Sequence, residues 1–411
     1  MDDARTQMAA GTKTRWLTAS VIGFGVASFL SDMGHEAATA ALPGLLILLG
    51  SPPAALGIIE GLSDGLSSFA KLAGVFWADR PALRKPIAVA GYVTTGLTTG
   101  AYGLATAWWH LLASRGLGWF ARGARGPARD AMLADSVPRE ALGRAFGLHR
   151  AADTAGAIFG PAAAAALLAV VPLRQVFLYA LVPGVLAGIA FLVLVRPQQE
   201  TPKPALPFWH SVRSLPRDYR RFLGAVFLFG IGDFARTLLI LRATQLLTPG
   251  SGAVKAAAIA MSLYVVHNVI YAAASYPVGH LADRVQPHRL LVIGYALGTI
   301  TAVLAAVATP SLAVLVALFL AAGLTLAFED TLEGMIAAVE VPAEIRGTGF
   351  GVLATVNGVG DLVSSSLVGV AWSVLGPAPA FGISAVLCAV GTLALIAHRG
   401  GRGVAREVGA P

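Results

Sequence analysis

Four arginines lie in one largely apolar stretch, Ser114 to Met132, SRGLGWFARGARGPARDAM: Arg115, Arg122, Arg125 and Arg129. Three of them, Arg115, Arg122 and Arg129, recur every seven residues, so on a helix they form a single stripe with Arg125 beside it. A guanidinium cannot be deprotonated in a protein, and at mid-bilayer it costs about 3 kcal/mol or more. Such a stripe needs water, counter-charges or a ligand in front of it. Asp32, His35 and Glu36 stand at i, i+3 and i+4, on one helical face. Buried carboxylates of this kind can carry a coupling proton, or they can hold Arg122 or Arg125 as ion pairs. Both roles stand at this stage. Asp233 and Arg236 mirror the first cluster, and Glu329, Asp330 and Glu333 form an acidic counterpart to the arginine stripe.

The elements that must position these residues are long apolar segments. Of the 411 residues 56% are hydrophobic and 13% are charged, about half the charged share of a soluble domain. Segments of about 20 apolar residues, the length that crosses a bilayer, recur near 16–41, 54–77, 86–107, 108–130, 143–170 and 174–196. Six more lie near 221–247, 253–281, 289–308, 311–338, 345–374 and 378–398. The start of the chain is polar and leads straight into the first span, which does not fit a cleaved signal peptide. The one cysteine, Cys388, lies within a span, so no disulfide framework or thiolate metal cluster is expected.

The net charge of +8 comes from alternate loops and not from an aromatic-basic face, which argues against nucleic acid. One set of loops holds Arg80, Arg84, Lys85, Arg139, Arg144, Arg284, Arg289 and Arg346, and the other only Arg174 and Lys255. By the positive-inside rule both termini are expected in the cytoplasm. The Pro-rich segment RPQQETPKPALPFWHSVRSLPRDYRR is the one clear linker. Within it PFWHSVRSL fits either a short interfacial helix or a basic loop. The expected organisation is a six-helix bundle over 1–196, a cytoplasmic linker over 197–220 and a second six-helix bundle over 221–411.

The two halves repeat. Val137-Pro138, Glu140, Gly143, Phe146-Gly147 and Gly156 match Val341-Pro342, Glu344, Gly347, Phe350-Gly351 and Gly360 at a constant offset of 204, as do Ala78-Asp79-Arg80 and Ala282-Asp283-Arg284. Duplicated six-span halves are an architecture of secondary transporters. On these residues the chain resembles the major facilitator superfamily, whose loop signature between spans 2 and 3 is matched by Asp79-Arg80 with Arg84-Lys85. Here the opening glycine stands one position early, at Gly74. The weaker copy keeps Gly279, Asp283 and Arg284 but carries Gln286 and His288 further on. Gly156-x-x-x-Gly160-Pro161 resembles the family's antiporter motif.

The resemblance implies an all-α polytopic membrane protein: twelve transmembrane helices in two pseudo-symmetric six-helix bundles, the major facilitator fold. It implies a proton-coupled exporter of a small anionic or zwitterionic compound or drug, working as a monomer in a prokaryotic inner membrane. Its partners are the substrate, protons and lipid. The expected cavity comprises Asp32, His35, Glu36, Arg115, Arg122, Arg125, Asp233 and Arg236. The expected cytoplasmic gate comprises Asp79, Arg80, Arg129, Asp283, Arg284, Glu329, Asp330 and Glu333. Asp79 and Asp283 are read as latches between the halves or, more simply, as helix-end charges that orient their loops. His149 and Asp153, one turn apart, fit a proton relay or a structural pair. Glu60, Asp64 and Lys71 read first as interhelical glue, and Asn357 and Asp361 as polar packing. No Walker loop, nucleophile elbow or His/Cys metal spacing is present, so no cofactor, resident metal or enzymatic activity is expected. One alternative keeps the fold and exports a divalent metal on Asp32, His35 and Glu36, with His149 or Asp153. Another is a transporter-like receptor that senses a ligand without moving it.

Overall fold

The computed structural model describes residues 16–78, 80–138, 141–196, 208–342 and 345–398. The latch position Asp79 and most of the linker, residues 197–207, lie outside the described residues, as do the side chains of Phe208 and Trp209. The described residues form α1 (Ala19–Leu48), α2 (Pro53–Ala78), α3 (Pro81–Ala101), α4 (Trp108–Asp135), α5 (Leu142–Leu167) and α6 (Leu173–Leu194). A short helix, α7 (Phe208–Arg213), follows. The second half holds α8 (Arg217–Gly230), α9 (Arg236–Ser251), α10 (Ala253–Ala282), α11 (Pro287–Val307), α12 (Leu312–Glu340), α13 (Arg346–Leu375) and α14 (Pro377–Ala397). Six of these, α6 and α10 to α14, are apolar and long enough to span a membrane by hydropathy alone. The other spans carry more of the polar residues. The result is the twelve-span, two-bundle arrangement, with α8 and α9 together making the seventh span.

The seventh span departs from the continuous helix expected over 221–247. It breaks between Gly230 and Arg236, at Ile231-Gly232-Asp233-Phe234-Ala235. Backbone freed inside a membrane must find partners within the protein. Three serines from α13 and α14 supply them. Ser384 Oγ donates to the Gly232 carbonyl at 2.5 Å and Ser364 Oγ to the Asp233 carbonyl at 2.6 Å, while the Ala235 N–H donates to Ser365 Oγ at 3.0 Å.

Apolar packing differs at the two ends of the molecule. At the end bearing the α1–α2 loop, one continuous core draws Leu42 and Leu45 of α1, Leu56 and Ile59 of α2, Leu238 and Leu241 of α9, Met261 of α10 and Phe319 of α12 together. At the end bearing the α2–α3 loop, hereafter the basic end, there are two separate cores. Phe24, Tyr92, Leu133 and Phe191 form one. Tyr219, Phe222, Tyr295 and Ile336 belong to the other. The apolar core is therefore shared by the bundles at one end and split between them at the other.

Their longest seam runs between α2 and α13, where Gly57, Gly61 and Gly65 recur every four residues along α2. Close approach of small residues is how helices associate in lipid. A Cβ on Gly57 would lie 2.8 Å from Gly369 Cα, closer than packing allows. Gly57→Val should lower stability by about 1–3 kcal/mol, the usual cost of overpacking. A melting temperature unchanged from the native protein in the same detergent would show that the seam is looser than described.

Candidate functional site

Between the bundles lies a cavity of ≈ 400 Å3. From the first half His35 and Glu36 of α1, Glu60, Asp64 and Lys71 of α2 and Arg115 and Trp119 of α4 face it. From the second half come Asp233 and Arg236 at the helix break, Tyr264 of α10, Glu329 and Asp330 of α12, and Asn357 and Asp361 of α13. The lining thus sets seven carboxylates against three cationic side chains, Lys71, Arg115 and Arg236. A second recess, ≈ 490 Å3, is walled by residues such as Ala165, Leu168 and Val254, with Lys255 its only charge. It has none of the converging polar groups of the first.

Each arginine on the stripe has a defined partner. Arg115, 2% exposed, donates through Nη2 to Glu60 at 2.6 Å and through Nη1 to Thr39 Oγ1 at 3.3 Å. Arg122 grips Asp32 in a two-pronged bond, 2.7 and 3.2 Å. Trp119 sits between these two guanidiniums, 4.9 Å from Arg115 and 5.4 Å from Arg122, and stacks on His35 at 4.1 Å. One indole therefore serves two cations and an imidazole. Arg125 lies 3.8 Å from the centre of the Tyr92 ring and donates to Ser31 at 3.0 Å. Its Nε and Nη1 are buried without a hydrogen-bond partner. Arg129 bonds its neighbour Asp130 at 2.9 Å.

The second half answers with the same device. Arg236 grips Asp233 at 2.8 and 3.1 Å and stands 3.8 Å from Glu329. Glu333 accepts from Tyr295 and Asn357, each at 2.7 Å, and Asp330 accepts from Tyr271 at 2.8 Å. The α12 carboxylates are thus held inside their own bundle. Among the described residues no hydrogen bond or ion pair joins them to Arg125 or Arg129. Arg80, Asp283 and Arg284 lie exposed at the basic end.

Among the described residues three hydrogen bonds cross between the halves: Tyr264 donates to Glu36 at 3.0 Å, Asn268 to the Ala157 carbonyl at 2.7 Å, and the Ala54 N–H to Ser373 Oγ at 2.8 Å. His149 lies 3.4 Å from Ser28 Oγ, while Asp153 pairs with Arg150 at 3.9 Å. The described contacts do not link His149 to Asp153. Sequence reasoning assigned Glu60, Asp64, Lys71, Asn357 and Asp361 only packing roles, yet all five line the cavity. The signal was available: Glu60 and Asp64 are four apart, and Lys71 follows seven later, on the same face of α2. Trp119 and Tyr264 carried no such signal, because an aromatic in a membrane span reads as packing.

The Major Facilitator Superfamily profile matches residues 24–266 and 222–407. An MFS-type transporter of Methanocaldococcus jannaschii, itself uncharacterized, is 29% identical over 392 residues, covering 93% of this chain and 95% of that protein. Among solved structures a point mutant of the nucleoside transporter NupG superposes with a TM-score of 0.79 at 14% identity, covering 92% of this chain and 99% of NupG. A bacterial homologue of the human lysosomal transporter Spinster, inward-facing and occupied, gives 0.73 at 16% identity, over 92% and 96%. The chain belongs to the major facilitator superfamily. It is a multi-pass membrane transporter and not an enzyme.

The Arg115–Glu60 pair supplies a direct stability test. Removing one partner of a buried ion pair costs about 3–5 kcal/mol, because the other charge is stranded. Arg115→Met alone should therefore melt well below the native protein, and Glu60→Leu with Arg115→Met should recover most of the loss. A single variant as stable as the native protein would mean that water already screens this pair.

Proposed function

We propose that this transporter is a proton-coupled exporter of small solutes bearing a positive centre, cationic or zwitterionic, working by alternating access as a monomer in the inner membrane. The observation that carries the proposal is the charge inventory of the cavity. Its arginines are bound to carboxylates, and carboxyl groups outnumber cationic side chains in the lining by seven to three. A substrate ammonium group can stand against Glu329, Asp330 or Asp361, with Lys71 the lining cation left to meet a substrate carboxylate. The arginine stripe on its spacing favours an anionic or zwitterionic solute, but Arg122 and Arg115 are engaged by Asp32 and Glu60.

Coupling falls to Asp32 and Glu36. Each is held by a group that can release it: Asp32 by Arg122, and Glu36 by Tyr264 across the seam. Protonating Asp32 would free Arg122, and protonating Glu36 would change its bond to Tyr264. Either event alters the balance between states whose contacts differ. One elementary charge moving across 100 mV releases about 2.3 kcal/mol, enough to drive a modest gradient.

The positive-inside rule places the basic end in the cytoplasm. With the shared core at the other end, the described conformation is closed outward and divided inward. Of the gate residues, Arg129 on α4 and Glu329, Asp330 and Glu333 on α12 are each bonded within their own half, and closure would bring the acidic α12 towards the basic α4. Export draws support from α5. Gly156 and Gly160 seat it on α1, where a Cβ on Gly156 would meet Met33 N at 2.9 Å and one on Gly160 would meet Ala37 N at 3.0 Å. Movement of α5 is thereby tied to the helix bearing Asp32. Divalent-metal export is less well supported, because His35 is stacked on Trp119 and Asp32 is bound to Arg122.

Purified protein is screened by thermal shift against amines, zwitterionic peptides and carboxylates, and the hits enter proteoliposomes with an imposed pH gradient. Amines or zwitterions should stabilise the protein and move uphill when protons flow the other way. Asp32→Asn and Glu36→Gln together should abolish uphill movement while substrate exchange persists. Full proton-driven flux in that double variant would place the proton carrier elsewhere. Binding without net flux in the native protein would favour a receptor.

A further inference from the structure

Away from the cavity, at the basic end of the second bundle, three segments converge. His288 lies in the first turn of α11, Glu340 is the last residue of α12, and His398 follows the last residue of α14. His288 Nε2 is 3.2 Å from Glu340 Oε1, and the two imidazole centres are 5.4 Å apart. One nitrogen or oxygen from each residue lies within 4.8 Å of the other two. His288 Nε2, Glu340 Oε2 and His398 Nε2 are all buried and lack hydrogen-bond partners. Phe222 closes one side, its ring 5.6 Å from that of His288. Beyond the His288–Glu340 contact these three buried atoms make no hydrogen bond, and they meet in a half-buried corner with the chemistry of metal ligands.

The internal repeat sharpens the point. At the offset of 204, His288 occupies the place of Arg84, and Glu340 falls one residue beyond the counterpart of Asp135. In the first half this corner is closed by Arg84 and Asp135 at 2.6 Å, a pair with its own permanent cation. The second half has exchanged that guanidinium for an imidazole and added a second imidazole from the far end of the bundle. It has kept the carboxylate and lost the fixed positive charge. Two imidazoles and one carboxylate are a ligand set for zinc and its neighbours among the divalent transition metals. Around a tetrahedral ion with bonds near 2.0–2.1 Å, ligand atoms stand about 3.3 Å apart. The His288–Glu340 separation already matches that edge, and the His398 side chain has only a short distance to close.

We propose that His288, Glu340 and His398 form a site for one divalent transition-metal ion of the zinc class, at the membrane surface of the second bundle. A fourth position is left to water. The ion would tie the ends of α11, α12 and α14 together, doing for the second half what the Arg84–Asp135 bridge does for the first. It is distinct from any cargo site, since none of its ligands lines the cavity.

The test uses the tag-free, full-length protein in detergent after chelator treatment. Zn2+, with Mg2+ as control, is titrated by calorimetry, bound metal is counted by mass spectrometry, and Co2+ is read by its visible absorption. One Zn2+ per chain should bind and raise the melting temperature, Mg2+ should do neither, and Co2+ should show a tetrahedral spectrum. His288→Ala, Glu340→Gln and His398→Ala should each weaken Zn2+ binding by at least about tenfold. His35→Ala should leave it intact. Should His288→Ala fold poorly, His398→Ala, beyond the last helix, carries the test. Absence of Zn2+ binding overturns the proposal, as does binding that survives His398→Ala or is lost with His35→Ala.

Discussion

A guanidinium keeps its charge wherever it is put, so Arg115, Arg122 and Arg236 can stay between apolar helices only while carboxylates stand against them. Everything else in the middle of the molecule follows from that constraint. Glu60, Asp32 and Asp233 approach their arginines to 2.6–2.8 Å. Trp119 presents its face to Arg115 and Arg122, and Arg125, which has no carboxylate partner, rests on the face of Tyr92 and on Ser31. Breaking one such pair strands a charge, and protonating the carboxylate likewise frees its arginine to seek another partner. An ion-pair layer of this kind is weakened by loss of a partner and responsive to a proton.

Around that layer the apolar packing is unequal. One core spans both bundles at the end bearing the α1–α2 loop, and two separate cores occupy the basic end. Packed apolar surfaces join or part as wholes, because density leaves little room for intermediate gaps. The bundles can therefore rock about the central layer as two bodies, fused at one end at a time. The helix break at 231–235 belongs to the same logic. It places Asp233 and Arg236 in the cavity, and the three serines that satisfy its backbone fasten the break to α13 and α14.

Much of this was legible in the sequence. The arginine stripe, the i, i+3, i+4 cluster on α1 and the offset of 204 between halves follow from helical geometry and counting, and they led to the fold. Partners across helices were not legible, because helical spacing says which residues share a face but not which face opposes it. Glu60 thus read as interhelical glue, which its bond to Arg115 makes it, but spacing alone did not name that partner. The break in the seventh span was hidden for a related reason. FLFGIGDFARTLLI is continuously apolar apart from Asp233 and Arg236, and the serines that stabilise the break lie 130 to 152 residues away. His288 showed only as a departure from the loop signature. Its meaning needed Glu340 and His398 beside it.

The central claim is that two rigid bundles exchange which end is joined, under control of the buried ion pairs. Cys388 is the single native cysteine, so a Cys388→Ala background accepts paired spin labels cleanly. One pair at Arg150 and Arg284 reports on the basic end, and one at Leu48 and Val254 on the opposite end. Pulsed electron–electron distances should show two populations, with one pair lengthening as the other shortens. Asp32→Asn with Glu36→Gln should shift their ratio. A single unchanged distance for both pairs, across pH and in the variant, would contradict the account.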